Sequence, residues 1–453
     1  MRKYDEDNTG NVMVAPPKVE ERPASSNTTT TTPTATTNDK NAAAKRELAV
    51  NIIGWTLQGG VVISAAVILL GVILLPFRPG GFSAQRLLTF PQNLGAVWTG
   101  LPTLQPQAVI TLGLLLLIAT PVMRVAVSIA VFLLEKDRKF VMITLLVLAI
   151  LLFSLFVVGS LVPTGVHNDV TTMHFSLFVV LFIFISAIAA GLLGSLVGLG
   201  GGVLIVPILT LVFGLPIYFA IGASIISVIA TSSGAAAAYV RDHMTNLRVG
   251  MFLEIATTTG AICGAFLAGM LAPELLSVIF GIILLISAAP LIFKLGEELP
   301  GGVKNDRLAQ WLKLSSSYPD HHLGKVVFYQ VSRTPLGLAM MYVAGLISGL
   351  LGIGSGTFKV LAMDTIMRLP MKVSTTTSNF MIGVTAAASA GIYFSRGDIP
   401  PMVAAPVALG ILIGALVGAR LLAHLSNKTL RLIFIPVIAA AAIEMILHGF
   451  GIA

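Results

Sequence analysis

The 453-residue chain is 56% hydrophobic and only 11% charged, with a mean hydropathy of +0.92. So few charges cannot coat a water-exposed surface, which excludes a soluble enzyme or binding module and points to a multi-span helical membrane protein. The net charge of +8 is modest and calls for no nucleic acid, and a single cysteine, Cys263, excludes an internal disulfide.

Residues 1–48 open the chain as a low-complexity tail. Ser25–Thr37 is almost all Ser, Thr and Asn with nothing to bury, so a disordered cytoplasmic tail is expected. No cleavable signal peptide is visible, and the first apolar run begins near Ala49. A three-span membrane domain is expected over 49–172, with spans near Val50–Leu75, Ala108–Leu133 and Phe140–Val162. Arg124 lies toward the charged end of the second span, where snorkelling is the default reading. A first unit follows over 173–295. It has an apolar run from His174 to Val197, a glycine break, a short segment Gly202–Phe213, and spans near Ile217–Val240, Val249–Leu271 and Glu274–Phe293. The short segment is about 18 Å long, too short to cross a core of roughly 30 Å. A polar connector, 296–334, leads to a second unit, 335–453, that reads the same way, with its short piece at 357–369.

The two units repeat in register. Gly191–Gly202 and Gly345–Gly356 are both glycine runs in apolar sequence, 154 residues apart (345 minus 191), and over 191–239 against 345–393 there are 13 identities in 49 positions. Gly198/Gly352, Gly200/Gly354, Gly202/Gly356, Pro216/Pro370, Ser224/Ser378, Thr231/Thr385 and Tyr239/Tyr393 are among them, which indicates duplication. Six Lys and Arg over 294–334 place the connector in the cytoplasm. The N-terminus is then cytoplasmic and the C-terminus outside, with only Arg396, beside Asp398, on the wrong side. Each unit has an odd number of membrane elements, so the copies lie inverted. The expected fold is thus all-α and polytopic: two inverted repeats with broken, short helices, plus three extra N-terminal transmembrane helices.

Two interrupted helices that meet from opposite leaflets would aim their unpaired N–H groups at one cavity, which attracts an anion. Gly200, Gly201 and Gly202 in the first copy and Gly354, Ser355, Gly356 and Thr357 in the second are the candidate backbone donors. The competing reading of the same glycines is close helix packing at small-xxx-small spacing. Lys359, on the second short helix where the first copy has Ile205, would add a full positive charge; a salt bridge to Asp364 is disfavoured because five residues put the two about 140° apart. Asp364 is the candidate proton carrier, with structural pairing as its alternative. Ser224, Ser378 and Asn379 on the following spans could donate to oxyanion oxygens, although hydroxyls usually bond back to their own helix. Glu254 reads as an interfacial carboxylate near Arg248. The histidines show no metal-ligand spacing, so neither metal nor cofactor is expected.

On Gly198-Leu-Gly-Gly-Gly-Val-Leu-Ile-Val-Pro207, Gly214-Leu-Pro216 and Gly352-Ile-Gly-Ser-Gly-Thr-Phe-Lys-Val360, the stretch 174–450 resembles the sulfite exporter TauE/SafE family, also called the toluene sulfonate uptake permease family. The resemblance implies transport of sulfite, sulfonates or related sulfur oxyanions, coupled to an ion gradient. The second motif departs from the first at Ser355, Lys359 and Leu361. Residues 50–162 resemble a membrane domain of unknown function fused ahead of this family. The expected function is therefore a non-enzymatic secondary transporter, an exporter of a small sulfur-containing anion such as sulfite or an organosulfonate, in the plasma membrane and coupled to a proton gradient. Its expected partners are that anion, the lipid bilayer and a second copy of the chain as a homodimer. Competing readings are a transporter or passive pathway for another oxyanion, and a non-transporting membrane scaffold or sensor.

Overall fold

The computed structural model describes residues 37–77, 91, 94–159, 177–197, 201–241, 244–293, 302–320, 325–422 and 427–452. Most of the tail, the loop after the third span, and Gly200 lie outside the described residues. Residues 1–44 form one unit, of which only the start of a helix is described, and Lys45–Ala453 form the other.

The protein is an all-α polytopic membrane protein. Among the described residues, five helices are long and apolar enough to cross a membrane. The N-terminal stretch contains α1 (Thr37–Leu74), α2 (Leu94–Gly100), α3 (Pro106–Leu134) and α4 (Arg138–Leu152), the last running on as a π-helical turn to Val158. Helix α1 starts at Thr37, ahead of the expected Ala49, so residues 37–48 are helical where disorder was expected. Next come α5 (Leu177–Val197), α6 (Gly202–Pro207), α7 (Ile217–Arg241), α8 (Leu247–Ala268) and α9 (Pro273–Phe293). The matching series after the connector is α11 (Thr334–Leu351), α12 (Gly356–Leu361), α13 (Met371–Arg396), α14 (Pro401–Leu422) and α15 (Asn427–Gly449).

Both short helices end in π-helical turns, Ile208–Val212 and Ala362–Ile366, again 154 residues apart (362 minus 208). Pro207 precedes the first turn, but Leu361 precedes the second, so proline is not what forces it. Prolines and glycines do mark the boundaries: Pro106, Pro335 and Pro401 stand at helix starts, where a missing N–H costs nothing. Gly397 closes α13 at φ 83°.

Helices α7 and α13 lie against each other at the centre. The α13 sequence is rich in Ser, Thr and Ala; Ser374, Thr377, Ser378, Thr385 and Ser389 are all buried. Such a helix gains little from lipid and is enclosed by others. The lipid-facing role falls to Leu145, Leu146 and Phe156 of α4, Phe178 and Phe182 of α5, and Leu285 and Ile286 of α9, all exposed. Helix α5 lies along α14 and α8 along α11. Both seams are backbone-to-backbone. A Cβ on Gly349 would stand 2.0 Å from the Ala261 carbonyl, and one on Gly414 would stand 2.1 Å from the Ile188 carbonyl. In lipid no hydrophobic force draws helices together, so close approach at small residues supplies the packing. Gly349→Leu is expected to separate α8 from α11 and to cost about 1–3 kcal/mol or more, read as a lower melting temperature of the purified protein.

The connector is not only a loop. It holds α10 (Arg307–Leu312) and an antiparallel hairpin, β1 (Ser316–Asp320) with β2 (Lys325–Tyr329), pairing Tyr318 with Val327. Asn246 fixes it to the helices. Its carboxamide oxygen accepts from Val249 N and caps α8, and its Nδ2 donates to the Leu314 carbonyl at 2.9 Å and to the Tyr329 hydroxyl at 2.8 Å. Burial pushes the Tyr329 phenol up to about 12, so it stays a neutral acceptor at ordinary pH.

Candidate functional site

The two glycine breaks meet. Ser224 Oγ of α7 lies 3.1 Å from the Gly202 carbonyl and 2.8 Å from the Gly352 carbonyl, so one hydroxyl faces both. A Cβ on Gly202 would stand 2.6 Å from Ser224 Oγ and from Val228, and 3.3 Å from the Gly352 carbonyl. Val228 also presses on Gly354, with 2.9 Å to its ideal Cβ position. In the second copy Ser378 donates to the Gly356 carbonyl at 3.2 Å, the counterpart of the contact between Ser224 and Gly202. The hydroxyls at 224 and 378 are therefore committed to the backbone of the breaks. They shape the site rather than offering a free donor in this conformation.

The glycine runs divide by role. Gly191, Gly345 and Gly349 lie in the helix seams, as close packing requires. Gly352 and Gly354 take left-handed φ of 67° and 73°, and Ser355 takes 47°. Three left-handed residues within four positions unwind the chain between α11 and α12. That conformation is strained for Ser355, whose hydroxyl is buried without a hydrogen-bond partner.

Gly201, Gly202, Gly354 and Gly356 are buried, Gly201 against Ile411 of α14, while Thr357 and Asn379 are half-buried. Asp364 is buried in the π-helical turn after α12. Lys359 is fully buried, and its Nζ donates to Thr385 Oγ1 at 2.6 Å. Thr385 Oγ1 lies 2.7 Å from Glu254 Oε1. Lys359 thus faces Glu254 through a hydroxyl.

Two expectations are corrected here. Glu254 is not interfacial: it is buried seven residues into α8 (254 minus 247), and Arg248 pairs instead with Glu135 and Asp137, each at 3.2 Å. Six residues along a helix turn the side chain about 240° away from Arg248. Nor does Arg124 snorkel. It is fully buried, donating Nη1 to the Phe380 carbonyl at 2.5 Å and Nη2 to Ser233 Oγ at 3.2 Å. It sits ten residues from the end of α3 (134 minus 124), roughly 15 Å of helix, more than its side chain spans. Arg396, the last residue of α13, is buried too, 3.5 Å from Asp398 and 4.7 Å above the Tyr393 ring. Arg124→Leu is expected to remove the hydrogen bonds to the Phe380 carbonyl and Ser233, to loosen α3 from α13, and to cost about 1–3 kcal/mol in thermal unfolding.

The family model for sulfite exporter TauE/SafE matches residues 182–445, more than half the chain, spanning both breaks. The chain belongs to the sulfite exporter TauE/SafE family. Residues 53–156 match a separate family described as a protein of unknown function, DUF1634. The probable membrane transporter protein YunE of Bacillus subtilis (strain 168) is 27% identical over 61% of this chain and 99% of its own length. The probable membrane transporter protein YdhB of the same organism is 25% identical over 54% of the chain and 89% of its length. The probable membrane transporter protein MJ0441 of Methanocaldococcus jannaschii is 24% identical over 57% and 91%. No solved structure matches. Like other TauE/SafE members, this chain is a multi-pass membrane transporter; its Arg124, from the DUF1634 region, reaches the core of the TauE/SafE region.

Proposed function

We propose that the chain is a secondary transporter that exports a small sulfur-containing anion, such as sulfite or an organosulfonate, across the plasma membrane, with its flux coupled to a proton gradient. The anion would sit between the two breaks, held by backbone amides near Gly201–Gly202 and Gly354–Gly356, with the Ser355 hydroxyl and Lys359 beside it. One observation carries this reading: a fully buried lysine on the short helix that starts at a break which touches the other break. An ammonium at that depth needs negative charge, and the break beside it presents backbone N–H groups.

Elements 154 residues apart exchange partners, α5 with α14 and α11 with α8, which supports two inverted copies. Rocking one copy on the other would then open the breaks to each side in turn. The N-terminus lies in the cytoplasm and the C-terminus outside on this reading, and a homodimer is the assembly to test. The breaks are buried in this conformation, so the anion enters only after a displacement. Purified chain in liposomes is expected to give saturable sulfite efflux that responds to an imposed pH gradient. A scaffold would give none, and a passive pathway would ignore the gradient.

A further inference from the structure

Four helices bring Arg124, Glu254, Lys359 and Thr385 to one buried spot, and the sequence reading assigned only Lys359 to the site. We propose that Glu254 is the group that takes up and releases the transported proton, linked to the anion through Thr385 and Lys359. This rests on the anion reading above and supplies its coupling step.

Lys359 is in the last turn of the six-residue α12, three residues after Gly356, about 4.5 Å along the helix axis. An anion at the break competes for the same ammonium that now donates to Thr385 at 2.6 Å. Thr385 in turn holds Glu254 Oε1 at 2.7 Å, whereas Glu254 Oε2 is buried without a hydrogen-bond partner. The charged groups that face Glu254 are Lys359 and Arg124. Arg124 donates Nη1 to the Phe380 carbonyl and Nη2 to Ser233, while its Nε is buried without a hydrogen-bond partner. The other helices packed on α8 add no charge nearby. Helix α11 carries no charged residue and only Tyr342 as a titratable one; α13 has its charges at its ends, Lys372 and Arg396, with the buried Tyr393; α4 has Arg138 and Lys139 at its start, beside Asp137 and Glu135 at the Arg248 end.

When Lys359 turns to the anion, Glu254 loses its nearest cation while staying in apolar surroundings. A buried carboxylate left with Arg124 alone, whose Nη1 and Nη2 donate elsewhere, is expensive, and a proton removes the charge. The proton comes from water on the open side and forms the O–H bond at Oε2, the oxygen with no partner. When the anion leaves, the ammonium returns to Thr385 and the proton departs. One proton therefore travels with each anion in the same direction, so net export requires an outward anion gradient that outweighs the inward proton gradient. Anion affinity must rise as pH falls, because the bound state holds more protons.

The test uses methanesulfonate, whose charge is fixed near neutrality, added to the purified full-length protein in weak buffer. Wild type is expected to take up about one proton per anion bound. Glu254→Gln should take up none and bind on the order of tenfold more tightly, without pH dependence, because Lys359 is no longer held by a carboxylate. Asp364→Asn should keep the uptake. Wild-type-like uptake in Glu254→Gln would overturn the proposal. If Glu254→Gln does not fold, Thr385→Val carries the test: the hydroxyl that links Lys359 to Glu254 is gone, so uptake per anion falls, and undiminished uptake overturns the proposal. If wild type binds neither methanesulfonate nor sulfite, the anion reading fails and the proton step is judged alone. Infrared spectra should then show a carboxylic-acid band gained on acidification and missing from Glu254→Gln. A band that survives the substitution rules Glu254 out.

Discussion

Lys359→Ala is expected to weaken sulfite binding by roughly 10- to 100-fold, the worth of a charged hydrogen bond in a dry site. It also strips Glu254 of its nearest cation, so stability should fall by about 3–5 kcal/mol, the usual result of breaking a buried charge pair from one side. These two losses separate in the double variant. Lys359→Ala with Glu254→Gln removes both charges, and the melting temperature should recover most of the loss while sulfite affinity does not. Recovery of both would make Lys359 a structural partner of Glu254 and nothing more. The measurements are calorimetric binding and thermal unfolding on the same purified samples.

Gly202→Leu should abolish transport. The first carbon of the new side chain falls 2.6 Å from both Ser224 Oγ and Val228, and 3.3 Å from the Gly352 carbonyl, so the two breaks can no longer touch. Overpacking of this kind costs about 1–3 kcal/mol, which a large helical assembly survives. The expected result is a folded protein with sulfite flux at background in liposomes. Gly59→Ala is the matched control, since a Cβ there meets nothing within 4 Å, and its flux should equal wild type. Flux retained by Gly202→Leu would mean that contact between the breaks is not required.

Most of the architecture was legible because it rests on signals that survive in one sequence. Apart from α1, apolar runs gave the starts of spans to within a few residues: α8 begins at Leu247 against an expected Val249, and α9 at Pro273 against Glu274. The 154-residue offset located both short helices, since glycine and proline hold their register where apolar residues drift. The connector hairpin was not legible; each strand is only five residues long, and Asn246, Tyr329 and Leu314 meet only in three dimensions. Glu254 and Arg124 were misread for a related reason. Each was judged by the nearest charge or helix end in sequence, Arg248 for the one and the Glu135 turn for the other. Burial is decided by helices more than a hundred residues away: α13 supplies Thr385 to Glu254 and the Phe380 carbonyl to Arg124. The depth of both charges within apolar helices was the available signal, for an ionisable group well inside a span needs a partner wherever the fold brings one. Ser224 and Ser378 were expected to donate to an anion; in the structure their donors go to the Gly202, Gly352 and Gly356 carbonyls, which no spacing rule foretells.

The most direct measurement is an electron cryomicroscopy map of the purified chain at saturating sulfite. Density for one anion is expected between the Gly202 and Gly356 breaks, within hydrogen-bond reach of Lys359 Nζ, with the ammonium moved away from Thr385. A sulfite-bound map with the anion elsewhere, and the two breaks still packed shut around Ser224 and Val228, would contradict it.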